Sequence, residues 1–309
     1  MKKLLLLPLL FIFLLSCKKD PVITNYNPSN SGIAYYNVTS IAIDGEGNKW
    51  IGTSYNGISK FDGTTWTNYN TSTGVAIKGV HNIAIDTQGN KWFASDTGLV
   101  KFDGVNWSYY INSVNGYPDT YIVDVAIDSD GNKWVASQYG LYKFDGTWTR
   151  YGDSTVKDIQ SIEIDASGNL WIGTFGHGAF MYNGNWVNYN TDNSKLSSWA
   201  VKTISIDSKG NKWFGTFLNG LDKFDGTNWT HYSADNSGFS NDVINAITSD
   251  GDGNVWVGIE ATSVYHFNGK KWKEYKIFNG VSNMKVNAIA IDSKGTKWIG
   301  SSGGLSKFD

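Results

Sequence analysis

Three kinds of feature in the 309-residue chain hold residue types that could do chemistry. Asp128-Ser129-Asp130-Gly131-Asn132 and Asp250-Gly251-Asp252-Gly253-Asn254 set carboxylates at alternate positions, as a calcium loop begins. Such a loop needs Gly at its sixth position and Glu at its twelfth. Here Gly is fourth and the twelfth residue is Tyr139 or Ala261, so both segments read as hairpin turns. Gly300-Ser301-Ser302-Gly303-Gly304 fits Gly-x-Ser-x-Gly, but a nucleophile elbow joins a strand to a helix. This one falls between two strand patterns. Four histidines, His81, His177, His231 and His266, complete the set, with Glu163 and Glu260 as possible partners. A general base must come within hydrogen-bond reach of its target, and no repeat holds a close His–Glu pair. No catalytic residue, metal or cofactor is expected from these residues.

The elements that would position such groups follow from a repeat. Ile-x-Ile-Asp-x-x-Gly-Asn-x-Trp recurs seven times with small changes. Its Asp falls at Asp44, Asp86, Asp128, Asp165, Asp207, Asp250 and Asp292. Its Trp falls at Trp50, Trp92, Trp134, Trp171, Trp213, Trp256 and Trp298, spaced by 42, 42, 37, 42, 43 and 42 residues. A strand-rich period near 40 is one blade of a β-propeller. In the first copy strand a is Val38–Ile43, strand b Lys49–Thr53, strand c Ile58–Phe61 and strand d Trp66–Tyr69. The a–b turn has an Asp able to accept turn amides, and Gly47 and Asn48 tolerate positive φ. The repeated aromatics are expected to pack blade on blade, since an isolated blade leaves both faces bare. The seventh copy stops at Lys307-Phe308-Asp309, before a strand d. Ile23-Thr24-Asn25-Tyr26-Asn27 matches Trp66-Thr67-Asn68-Tyr69-Asn70, so the N-terminal strand should close the ring. The expected fold is all-β, a seven-bladed propeller of four-stranded blades over residues 22–309.

Residues 1–16 read as a signal peptide. Lys2-Lys3 precedes the apolar run Leu4 to Leu15, which is short of the about 20 residues that span a bilayer. Leu14-Leu15-Ser16-Cys17 reads as a lipobox, with Cys17 as the lipidation site and residues 17–21 as a tether. Acyl chains at Cys17 would bury methylenes at about 0.8 kcal/mol each. Cys17 is the one cysteine in the chain, so no disulfide is available. The expected location is the cell envelope, on the periplasmic side of an outer membrane or at the cell surface. Removing the signal peptide shifts the formal charge from −2 to −4, which argues against a nucleic-acid partner. A monomer is expected.

The repeats Ile41-Ala42-Ile43-Asp44, Gly47-Asn48-Lys49-Trp50-Ile51-Gly52-Thr53 and Gly57-Ile58-Ser59-Lys60-Phe61-Asp62 resemble two-component regulator propeller repeats. They are more distantly similar to streptogramin lyase propellers. The first resemblance implies a propeller of the kind that forms extracytoplasmic sensor parts of membrane kinases and is often proposed to detect glycans. The sequence shows no second membrane span, kinase or receiver pattern, so only the propeller is shared. The second resemblance implies His and Glu converging near the channel with Mg²⁺. Of the histidines only His81 and His177 fall on the side concerned, two blades apart.

Loop monotony sorts the two faces. The a–b and c–d turns share one face and hardly vary. The b–c loops and d–a connections share the other and differ in every blade, which is where a rigid scaffold carries its binding residues. That variable face holds Tyr55, Tyr139, Phe175 and Phe217 in b–c loops, and Tyr35, Tyr36, Tyr117, Tyr121, Trp199 and Phe278 in d–a connections. His177, Gln138, Asp96 and Glu260 lie among them. At the channel mouth the column Thr39, His81, Val123, Gln160, Lys202, Asn245 and Asn287 is polar in six of seven copies. Aromatic planes beside amides and charges suit a sugar, whose C–H faces stack and whose hydroxyls need fixed partners. The expected function is a non-catalytic, lipid-anchored binding protein for a glycan or other polar ligand. The alternatives are a scaffold or adhesion module that binds an envelope protein, and, more remotely, a lyase-like enzyme.

Overall fold

The computed structural model describes residues 22–110, 121–137, 139–261, 263–277 and 284–309. Seven four-stranded antiparallel sheets stand around a central channel. The first blade has strands Val38–Ile43, Lys49–Thr53, Ile58–Phe61 and Trp66–Tyr69, the bounds the repeat predicts. The innermost strands a pack on one another in ring order, the first touching the last. Among the described residues helix is limited to Ala234–Ser237 and a 3-10 turn at Thr71–Thr73. Among the described residues no helix is long and apolar enough to cross a membrane.

The seventh blade takes its outer strand from the other end of the chain. Ile23–Tyr26 pairs antiparallel with Gly304–Phe308, in the register Ile23 to Phe308 and Tyr26 to Leu305. Across this seam the Ser306 hydroxyl donates to Asn25 Oδ1 at 2.6 Å. The next interface, between the last and first blades, buries Val38 with Trp298 and Leu305. A Cβ added at Gly300 would sit closer than 3.0 Å to the Val38 side chain, so the missing side chain allows the approach.

The recurring turn motif has a fuller role than a turn. In the first blade Asp44 Oδ1 accepts the amides of Glu46 and Asn48, while Oδ2 takes the Trp50 indole N–H at 2.8 Å. Six of the seven copies repeat the Asp–indole bond. One acidic side chain thereby fixes the turn and the orientation of the core Trp on strand b. Gly47 has φ 82°, as expected, but Asp158 is the one non-glycine residue with positive φ among those described. Asn48 therefore does not use that freedom. It donates its side-chain amide to Asp44 instead. The lysine that opens strand b reaches back over the preceding blade: Lys91 Nζ lies 5.1 Å from the Trp50 ring and 3.6 Å from Asp44. Its ammonium thus joins two blades through a cation–π contact and an ion pair.

The calcium-like segments are hairpin turns, with Asp128 and Asp250 occupied by Asn132 and Asn254. Gly300-Ser301-Ser302-Gly303-Gly304 joins strand b to strand c of the last blade, with no helix after it.

Candidate functional site

Antiparallel order places the b–c loops and d–a connections at one end of the ring, and hydrogen bonds join them there. Ser54 N donates to Asn37 O, and Phe175 N to Asp158 O. Among the described residues every exposed aromatic side chain lies on this variable face: Tyr35, Tyr36, Tyr55, Tyr121, Tyr139, Phe175 and Trp199. The exposed large apolar residues elsewhere are three valines, Val22, Val105 and Val187. The periodic tryptophans of strand b are buried.

Three groups form around the channel mouth. The largest spans the fourth to the seventh blades. Phe175 and Phe217 meet edge to face at 5.0 Å, and the amides of Gly176 and Gly178 bond to the Trp199 carbonyl. This fixes the Trp199 backbone beside that pair. Lys202 Nζ lies 4.7 Å from the centre of the Phe217 ring and donates to Asn245 Oδ1. Asn245 passes its own amide to Glu260 Oε2 at 3.3 Å, and Lys285 approaches Glu260 Oε1 at 3.7 Å. Burial lowers the pKa of the Lys202 ammonium; Glu260 opposes that shift and Lys285 reinforces it. The second group is His81 with Asp96 at 2.7 Å and Tyr121 at 4.6 Å between ring centres. Burial raises the Tyr121 phenol pKa, and the Asp96 carboxylate adds to the shift. The third is Tyr35 against Tyr55 at 6.0 Å, with Tyr36 bonded to Ser29 nearby.

Other expected site residues stand apart from these groups. Tyr139 is exposed on its own loop, and His177 lies 3.9 Å from Asp158. Asn287 donates to Asn37 and to the Val38 carbonyl, a seam between the last and first blades. Tyr117, Gln138, Phe278 and Cys17 lie outside the described residues, as do the signal peptide and tether.

Below the mouth runs a channel of about 580 Å³, lined by the strands a. The polar column from Thr39 to Asn287 lines it, as the sequence implies. Two carboxyl groups on adjacent blades line the bore, and their charges interact. Asp124 is buried and accepts the amides of Val125 and Ile162, each at 2.8 Å. Burial raises its pKa to about 6 against these bonds. Glu163 lines the bore one blade on, half-buried, and is pushed up to about 8 by desolvation and then by Asp124. Asp124 was not singled out from sequence, although its column offered a signal. The equivalent residues are Ser40, Asn82, Ser161, Thr203, Ala246 and Ala288, none of them charged. Glu163 likewise stands where other blades have Ala, Ser or Thr. Among the described residues no group of three His, Cys, Asp or Glu side chains could hold a metal ion.

A family pattern described as two component regulator propeller matches residues 154–176 and 238–261, in the fourth and sixth blades. This bears out the resemblance drawn from the repeats. No curated protein sequence matches the chain. Among solved structures the chain is similar to the extracellular domain of a hybrid two component system from B. thetaiotaomicron (23% identity, TM-score 0.81, 94% of this chain). It spans 41% of that domain's length. It is similar to a streptogramin B lyase at 17% identity and TM-score 0.80, with 94% and 98% of the two chains covered. It is also similar to PorZ, a surface component of the type-IX secretion system of Porphyromonas gingivalis (15% identity, TM-score 0.71, 92% of this chain and 47% of that one). At these identities the likeness is one of fold.

Proposed function

We propose that this propeller is an exported, lipid-anchored, non-catalytic binding protein that recognises a glycan on its variable face. One observation carries the reading: the exposed aromatics collect on the face whose loops differ between blades, around a polar channel mouth. Trp199, Phe175 and Phe217 offer ring faces and edges to sugar C–H groups, and Lys202, Asn245 and Glu260 offer donors and acceptors beside them. The extracellular and surface-exposed proteins among its structural neighbours support an exported location. The lyase likeness gains little, because His81 and His177 each pair with an Asp in separate blades.

A glycan array probed with the mature chain tests the proposal. A specific hit that weakens about tenfold or more on Trp199→Ala, equivalent to about 1.4 kcal/mol, supports it if the melting temperature is unchanged. An empty array together with reproducible co-purification of one envelope protein would assign the same face to a protein partner.

A further inference from the structure

Val22, the first described residue, lies at the end of the ring opposite the variable face. Val22 is held at the constant face, where its carbonyl accepts the Asp309 amide and Asp309 in turn accepts the hydroxyl of Thr296 in an a–b turn. Only five residue steps separate Cys17 from Val22. At 3.3–3.6 Å per extended residue they span at most about 18 Å. A lipid on Cys17 therefore holds the seventh blade's constant face near the bilayer and turns the variable face away.

The constant face is also uneven in charge. In the first four blades its exposed turn residues include Glu46, Asp62, Asp103, Asp130 and Asp145, with no lysine. In the last three they include Lys209, Lys270, Lys271 and Lys294 against Asp225, Asp252 and Asp309. Asp309 is already paired with Lys307 at 2.7 Å. The basic sector thus includes the blade from which the tether leaves, and the acidic sector lies across the ring. An anionic lipid surface attracts lysines within about one screening length, roughly 8 Å at physiological salt.

The geometry points to a membrane-docking surface: the constant face of the fifth to seventh blades rests on anionic lipid headgroups, tilting the ring so that the variable face looks outward. This rests on the lipid-anchor part of the proposed function and is independent of which ligand binds. The test uses the full lipidated chain in vesicles of phosphatidylcholine, alone or mixed with phosphatidylglycerol, and a headgroup-attached quencher. Acylated Cys17 has no free thiol, so a fluorophore can be placed singly at Ser293→Cys, Val105→Cys or Tyr139→Cys, all exposed positions. The expected quenching in anionic vesicles is strongest at 293, several times weaker at 105 and absent at 139. Lys270→Glu with Lys271→Glu should bring the signal at 293 down to that in neutral vesicles. Quenching at 139 equal to that at 293 overturns the orientation. Equal signals at 293 and 105, or no dependence on anionic lipid, overturn the docking surface. A Cys17 without acyl mass, on a chain that does not float with vesicles, refutes the anchor itself and the orientation with it.

Discussion

Glu163 is the residue whose chemistry departs furthest from its repeat. A carboxyl replaces the small residue of the other blades, inside a channel and near a second carboxyl. Its folded pKa, about 8, lies above the ordinary 4.5. Between those values the unfolded chain is ionised while the folded chain holds the proton. Its contribution to stability is therefore fully present below about pH 4.5 and is lost as pH rises through about 8. Glu163→Gln should flatten this alkaline decline, raising the melting temperature at pH 8.5 more than at pH 5. A variant whose melting temperature follows the parent at both pH values would show that Glu163 is solvated like a surface carboxylate. The turn aspartates act in the opposite direction. Burial opposes ionisation of Asp44, Asp86 and Asp165, but the indole, amide and backbone donors outweigh it and hold each pKa below 3.8. Their contribution is present above that value and is lost as pH falls through the depressed one. Asp86→Ala leaves the Trp92 indole, the Asn90 side chain and two turn amides without their acceptor. It should cost about 2–3 kcal/mol in urea unfolding at neutral pH.

At the scale of elements, the loop that carries Trp199 is tied down by a neighbouring blade. Asp222, fully buried on strand c, accepts the Ser197 amide at 2.9 Å and its hydroxyl at 2.7 Å, and its other oxygen meets His231 Nδ1 at 2.8 Å. The hydrogen bond to Asp222 raises the His231 pKa against a smaller opposing effect of burial. A raised histidine lends its support fully below its ordinary 6.5, and that support is lost as pH rises through the raised value. Hydrogen exchange at the Ser197 amide, corrected for its intrinsic pH dependence, should therefore show more protection at pH 6 than at pH 9. His231→Gln should remove the difference. Strand limits in the first blade were legible because hydrophobic alternation and Asp-Gly turns set them locally. The Asp–indole bond was half legible: the recurring Asp and Trp were plain, but their contact needs the twist between strands a and b. The Asp222–Ser197 tie spans 25 residues across a connection outside the repeat, and no local pattern marks it. Of the expected binding residues, Phe175, Trp199, Phe217 and Lys202 converge because their loops start from equivalent strand ends. Tyr139 does not join them, because its place in the third blade leaves it on a separate part of the rim.

At the scale of the whole molecule, a ring has no free edge only if its last blade is completed. Strand Gly304–Phe308 would otherwise expose a row of unpaired amides and carbonyls, a template for aggregation. The Ile23–Tyr26 strand fills that edge from 281 residues away in sequence at the Asn25–Ser306 pair. Closure also presses the last blade on the first at Gly300 and Val38. Gly300→Leu should destabilise the whole ring by about 1–3 kcal/mol or more in a single cooperative transition, since overpacking there opens the seam. Direct partners across an antiparallel pair lie about 4.5–5.5 Å apart at Cα, within the span of a disulfide. Asn25→Cys with Ser306→Cys, in the chain lipidated at Cys17, therefore tests the seam directly. Ring closure by the N-terminal strand should give an intramolecular disulfide in nearly every molecule and a higher melting temperature when it is oxidised. Two thiols that stay free and reactive, or that cross-link only between molecules, would contradict ring closure by the N-terminal strand.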